Sequence, residues 1–141
     1  MVYRDSFYIE APVPQVFGFF RDPSNFAQAV PGNIEFTDVV LTAEGVGTRY
    51  TWSTSIAGIP VRGSDTYTEY TPNRLITDRS SNALEGTWTY TFEPEGSGTR
   101  LTVQNRTRSI WKVPPLRQVL DLAAARSHRP RFERIKSMLE Q

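Results

Sequence analysis

The segment LRQVLDLAAARSHRPRFERIKSMLEQ, residues 116–141, decides how the rest of the chain is arranged, because it is the one long amphipathic stretch. Leu116, Val119, Leu120, Ala123, His128, Phe132, Ile135 and Leu139 recur at steps of three and four. Arg117, Arg129, Arg131, Glu133, Arg134 and Lys136 fill most of the opposite face. Helical throughout, the segment would reach about 39 Å, enough to lie across a small domain. Pro130 lacks an amide hydrogen and crowds the carbonyl four residues back, which predicts a kink or break at residues 127–129. The apolar stripe narrows at Ala123-Ala124-Ala125, small side chains where a tightly filled interface would carry Leu or Ile.

Upstream, residues 2–10 place Phe7 and Ile9 on one parity against Ser6, Tyr8 and Glu10, the pattern of a strand with one buried face. Pro12 and Pro14 halt that strand and permit a short helix carrying Val16, Phe17, Phe19 and Phe20. Asp22-Pro23 is an N-cap followed by proline at the first helical position, so a second short helix is expected over 24–30, ended by Pro31-Gly32. From Ile34 the period changes to two and Thr, Tyr, Val and Trp dominate. Strands are expected at 34–41, 48–57, 61–71, 74–80, 86–93 and 99–109, with turns at residues 43–47, 58–60, 72–73 and 95–98. Tyr50 shares a face with Trp52, and Asp65 shares one with Tyr67 and Glu69. Trp88, Tyr90 and Phe92 match Leu101, Val103, Asn105 and Thr107 across the last hairpin, while the parity of 74–80 stays open. Short turns between consecutive strands argue for an antiparallel meander. The expected architecture is α+β: a curved seven-stranded antiparallel sheet wrapped on the C-terminal helix, with two short helices between the first two strands. Neither a repeat nor a linker appears, so residues 1–141 are expected to form a single domain.

Charge is balanced, with sixteen Lys and Arg against fifteen Asp and Glu, so the chain presents no overall field for nucleic acid or anionic lipid. The basic cluster of Arg126, Arg129, Arg131, Arg134 and Lys136 alternates with Glu133 and Glu140 and reads as a solvated face. Without cysteine there is no disulfide or thiolate chemistry, and a single histidine argues against a His-based metal site. The N-terminus is strand-like and no apolar run approaches a membrane span, so a soluble, cytoplasmic protein is expected, as monomer or homodimer.

Several phrases resemble the START and Bet v 1-like (SRPBCC) superfamily with its helix-grip fold, and within it the polyketide cyclase/dehydrase-like group. Residues 9–17, IEAPVPQVF, resemble the group's opening strand and helix, and Arg21-Asp22-Pro23 the start of its second helix. Gly45-Val46-Gly47-Thr48-Arg49-Tyr50 and residues 96–102, GSGTRLT, resemble its two turn-and-strand phrases. Arg134-Ile135-Lys136 with Leu139-Glu140 resembles the end of its last helix. The resemblance implies a cavity between sheet and long helix. It further implies a hydrophobic ligand such as a lipid, sterol, polyketide or hormone, and in some members cyclisation or dehydration. These phrases are structural, and no catalytic set from the group maps onto matching positions.

The inward parity supplies Tyr50, Trp52, Tyr67, Trp88 and Tyr90, rings with an apolar body and a hydrogen-bonding tip, suited to a pocket wall or to a plain core. Leu120, Ala124 and His128 would face them from the helix, and Asn105 would anchor a ligand carbonyl or satisfy a neighbouring backbone group. Trp111 would close the mouth or pack at the hinge between the last strand and the helix. On a regular strand both Asp65 and Glu69 point inward, where burial would raise a carboxyl's pKa and fit it for acid or base work. A bulge, or pairing with Arg49, Arg79 or Arg106, would remove them from that role. The leading expectation is a binder of a small hydrophobic, ring-containing ligand, with no cofactor. The alternatives are a cyclase/dehydratase using Asp65 or Glu69 with a tyrosine, and a protein–protein adaptor.

Overall fold

Alternation of aromatic and β-branched residues with small polar ones gives the chain seven strands that pair only with antiparallel neighbours. The computed structural model describes residues 2–30, 34–56, 58–82, 84–109, 118, 122 and 126–141. The strands are β1 (Val2–Ile9), β2 (Glu35–Val40), β3 (Arg49–Ile56), β4 (Ile59–Thr71), β5 (Leu75–Asn82), β6 (Leu84–Glu95) and β7 (Gly98–Ser109). They lie in the order β1-β7-β6-β5-β4-β3-β2. After β1 the sheet is a simple meander, and β1 returns to pair with β7, so Phe7 sits opposite Leu101 and Ile9 opposite Thr99.

Helix α1 (Val13–Arg21) follows β1, carries proline in its first turn and buries Val16, Phe17 and Phe20. The second helix differs from expectation, being a tight 3-10 helix over Pro23–Gln28. Its start is the expected one, because the Asp22 carboxylate accepts from the Ser24 amide at 3.0 Å. The phenol of Tyr67 donates to the Phe20 carbonyl at 2.5 Å and ties the sheet to α1.

Gln118, Leu122 and Arg126 are helical, Ser127 is a turn, and α2 (His128–Leu139) begins immediately after it. The interruption falls where Pro130 predicts it. Proline is tolerated there because it lies in the first turn of α2, where amide hydrogens have no intrahelical acceptor. Phe132, Ile135 and Leu139 bury the inner face of α2. Phe132 meets Phe7, Trp88 and Tyr90 with ring centroids 5.8, 5.7 and 6.2 Å away. The far end of α2 is fastened to β1: Lys136 Nζ donates to the Tyr8 carbonyl at 2.8 Å, and the Glu10 amide donates to Glu140 at 2.9 Å.

The turn before β3 explains the glycine phrase at residues 45–50. Gly45 has a φ of +85°, and a Cβ there would lie 2.2 Å from the Tyr70 ring, so only glycine fits without displacement. The Gly47 amide then donates to the Tyr67 carbonyl, and the Tyr67 amide to the Thr48 carbonyl, each at 2.8 Å. Among the described residues no helix is long and apolar enough to cross a membrane.

Candidate functional site

Where β3, β4 and β5 run together, the inner face carries two carboxyls. Tyr50 pairs opposite Asp65, Asp65 opposite Ser80, and Tyr67 opposite Asp78, which makes Asp65 and Asp78 diagonal neighbours on one face. Both are buried, Asp78 with no exposure at all. Asp65 accepts from Tyr50 Oη at 3.1 Å, Trp52 Nε1 at 2.8 Å and Ser80 Oγ at 2.8 Å. Tyr50 Oη also lies 2.7 Å from Asp78 Oδ2 and so bridges the two acids. Asp78 Oδ1 is buried and has no hydrogen-bond partner among the described residues.

Burial, and then the charge and contact of Asp65, push the Asp78 carboxyl well above the ordinary carboxylate range. Asp78 therefore holds its proton into the range where a free carboxyl has lost it. Burial also pushes Tyr50, Tyr67 and Tyr90 upward, so each phenol remains a donor. Tyr50 and Tyr67 are occupied as described. The Tyr90 hydroxyl has no partner among the described residues.

Next to this acidic floor the described residues enclose a cavity of about 30 Å³, room for one or two waters. Phe26 comes from the 3-10 helix, Phe36 from β2, Tyr50 from β3, Trp88 and Tyr90 from β6, and Arg131, Phe132 and Ile135 from α2. Trp88 and Tyr90 stack with centroids 6.0 Å apart and planes inclined by 7°. His128 meets Trp88 edge-on at 4.9 Å and Tyr3 at 5.0 Å. Its Nδ1 is buried without a partner among the described residues, and burial, aided by the Arg131 charge, lowers its pKa to about 3. The ring is therefore neutral at ordinary pH.

Asn105 is buried opposite Trp88, and its Oδ1 accepts from the Thr107 hydroxyl, which spends the acceptor on a neighbour. Tyr50, Trp52, Asp65, Tyr67, Trp88, Tyr90, Asn105 and His128 thus all lie on the inner side, with Tyr67 and Asn105 engaged in internal hydrogen bonds. Glu69 does not join them, and its expected inward placement is corrected. The pairing of β4 with β5 slips between Tyr67 and Glu69, and this bulge turns Tyr70 inward against Phe17 and Glu69 out to solvent. Among the described residues Asp65 takes no arginine partner; Arg49, Arg79 and Arg106 are exposed. Leu120, Ala124 and Trp111 lie outside the described residues.

Two residues were missed. Asp78 sits in the strand whose parity the sequence leaves open, and the hairpin register carries the signal: continuing the β6 pairing places it opposite inward Trp88. Arg131, assigned by helical spacing to the outer face, instead lines the cavity. Its guanidinium lies 4.9 Å from the centre of the Trp88 ring and 5.0 Å from that of Phe132. Arg131 stands three residues after His128 and four before Ile135, at the edge of the buried stripe, and its long side chain reaches back over the rings. Among the described residues no group of three His, Cys, Asp or Glu could hold a metal ion.

Among solved structures, TTHA0849 from Thermus thermophilus superposes with a TM-score of 0.80 at 20% identity, covering 99% of this chain and 97% of that one. Ms6760 from Mycobacterium smegmatis gives 0.72 at 22% identity, with 98% and 90% covered. Ara h 8.0201 gives 0.71 at 12% identity, with 99% and 97% covered. At these identities the likeness is one of fold, and that fold is the Bet v 1-like helix grip. No curated protein matches the chain in sequence. A family model described as "Polyketide cyclase / dehydrase and lipid transport" matches residues 2–140. On that match over nearly its whole length, the chain belongs to the polyketide cyclase/dehydrase and lipid transport family, which handles hydrophobic ligands.

Proposed function

We propose that the protein binds a small, ring-containing hydrophobic ligand between the inner face of its sheet and its C-terminal helix, with residues 1–141 acting as one binding domain. The observation that carries this reading is a wall of stacked and tilted rings beside which two buried polar atoms, Asp78 Oδ1 and His128 Nδ1, have no partner among the described residues. A buried polar atom without a partner costs about 1–3 kcal/mol, so an interior that leaves two such atoms beside one wall is stabilised by a guest that satisfies them. Tyr50, Trp52 and Asp65 shape the floor. Trp88, Tyr90 and Phe132 supply the apolar faces, and no cofactor is called for.

The neutral hydrophobic dye Nile red tests this. Native protein is expected to raise its emission saturably, and Trp88→Ala to lose that response while near-UV circular dichroism shows a folded chain. Absence of any saturable response in the native protein overturns the reading.

The protonated Asp78 favours a second reading, a cofactor-independent cyclase or dehydratase. Asp65 would take a proton from the carbon next to a ligand carbonyl, and Asp78 with the Tyr50 phenol would steady the enolate oxygen. Asp65→Asn and Asp78→Asn should then abolish turnover of a bound ligand without abolishing its binding; unchanged turnover rejects the role of the acids.

A further inference from the structure

The outer face of the sheet, which ligand binding in the interior leaves unused, separates charge in a way that the chain's net charge of +1 hides. One row runs across six strands: Val2 stands opposite Arg106, Arg106 opposite Thr87, Thr87 opposite Arg79, Arg79 opposite Thr66, and Thr66 opposite Arg49. Arginine thus occupies every second strand, at intervals of about 10 Å for strands about 4.8 Å apart. Toward the same end of the face β7 adds Arg108 and β4 adds Arg62, and all five arginines are exposed. In these rows the carboxylates standing against them are Glu85, opposite Arg108, and Glu35 at the β2 edge. None of the five makes an ion pair or hydrogen bond to a described residue, whereas Arg100 at the opposite end of the face is matched to Glu95 at 2.7 Å. Arginines gathered without partners on one end of one face sum to a positive local field that an anionic surface complements.

The shape of the patch selects the kind of anion. From Arg106 to Arg49 it spans four strand spacings, about 19 Å, which is too wide for one small anion and suits an array of them. The short Thr87 between Arg79 and Arg106 leaves a groove of about 460 Å³ in that array. The outward residues of this end are Arg, Ser and Thr with no aromatic ring on which a base could stack, and they are carried by strands in a broad face rather than by a helix that would enter a duplex groove. Val2, 64% exposed, adds an apolar side chain beside Arg106 at the rim of the groove.

We infer that this end of the outer face docks on an anionic lipid bilayer. The guanidiniums of Arg49, Arg79, Arg106 and Arg108 meet headgroup phosphates and carboxylates, which they bind through paired N–H groups, and Val2 enters the interfacial layer. The inference stands apart from the interior cavity and does not depend on what occupies it.

Cosedimentation with vesicles at pH 7.5 and low salt tests it. Native protein is expected to bind vesicles of phosphatidylcholine with about one-third phosphatidylserine, to ignore pure phosphatidylcholine, and to be released at about 0.5 M salt. The double variant Arg79→Gln/Arg106→Gln should bind about 30-fold more weakly, from about a tenfold loss per 1.4 kcal/mol and about 1 kcal/mol for each arginine near the surface. The matched double variant Arg74→Gln/Arg100→Gln removes the same charge from the other end of the face and should bind within about 3-fold of wild type. Absence of binding to the phosphatidylserine vesicles, or equal losses in the two double variants, overturns the inference. Tighter binding of a single-stranded oligonucleotide than of the vesicles at the same salt would overturn it in favour of a nucleic-acid surface.

Discussion

Replacing His128 by phenylalanine isolates the electrostatic cost of the cavity wall. The native ring lies against Tyr3 and Trp88, and burial with the nearby Arg131 charge lowers its pKa from 6.5 to about 3. The native chain therefore takes up this proton only near pH 3, whereas the unfolded chain takes it up at 6.5. Each pH unit between those values favours unfolding by about 1.4 kcal/mol. With the ordinary value at 6.5 and the native value at about 3, the loss relative to neutral pH is about 2.7 kcal/mol at pH 4.5. A phenylalanine at this position would keep both ring contacts and cannot be protonated. The assay is urea unfolding of wild type and His128→Phe at half-unit steps from pH 7.5 to 4.5, scored as the difference between the two stabilities. That difference should swing by about 2.7 kcal/mol in favour of the variant over the range. Parallel curves would mean that the ring protonates as freely in the native chain as in the unfolded one, and would refute its placement in a dry wall.

Asp78→Asn should stabilise the protein increasingly as pH rises above 3.8, because the wild-type native carboxyl keeps a proton that the unfolded one releases, so native stability falls with rising pH; unfolding between pH 4 and 8 measures it. Tyr67→Phe removes the donor to the Phe20 carbonyl and should cost about 1–2 kcal/mol in chemical denaturation, with the strand register intact by NMR. Glu69→Gln should leave both stability and dye binding within about 0.5 kcal/mol of wild type, since the side chain is outside the cavity.

Strand positions were legible because a sheet with one buried face writes period two into its sequence, and in the last hairpin the pattern gave the matching faces, which the register of Trp88 opposite Asn105 and Tyr90 opposite Val103 bears out. The break in the last helix was equally legible, since the missing amide of Pro130 acts locally. Period counting fails where the backbone slips. One extra residue near Thr68 reversed Glu69 and Tyr70. Arg131 escaped a two-faced reading of the helix because it stands at the edge of the buried stripe, between His128 and Ile135. Nothing in the composition marks a single inserted residue in a strand rich in Thr and Tyr. Asp78 was hidden for another reason: its environment is made by Tyr50 and Asp65, which reach it only through two strand pairings. The acid pair is a product of register rather than of any local motif.

The account rests on a guest entering between sheet and helix, and intermolecular NOEs from bound 2-naphthamide report on this directly. Contacts from the naphthalene protons to the Ile135 methyls and to the Trp88 and Phe36 rings are the predicted result. Contacts confined to the outer face of the sheet, with the Ile135 and Phe36 signals unmoved at saturation, would contradict it.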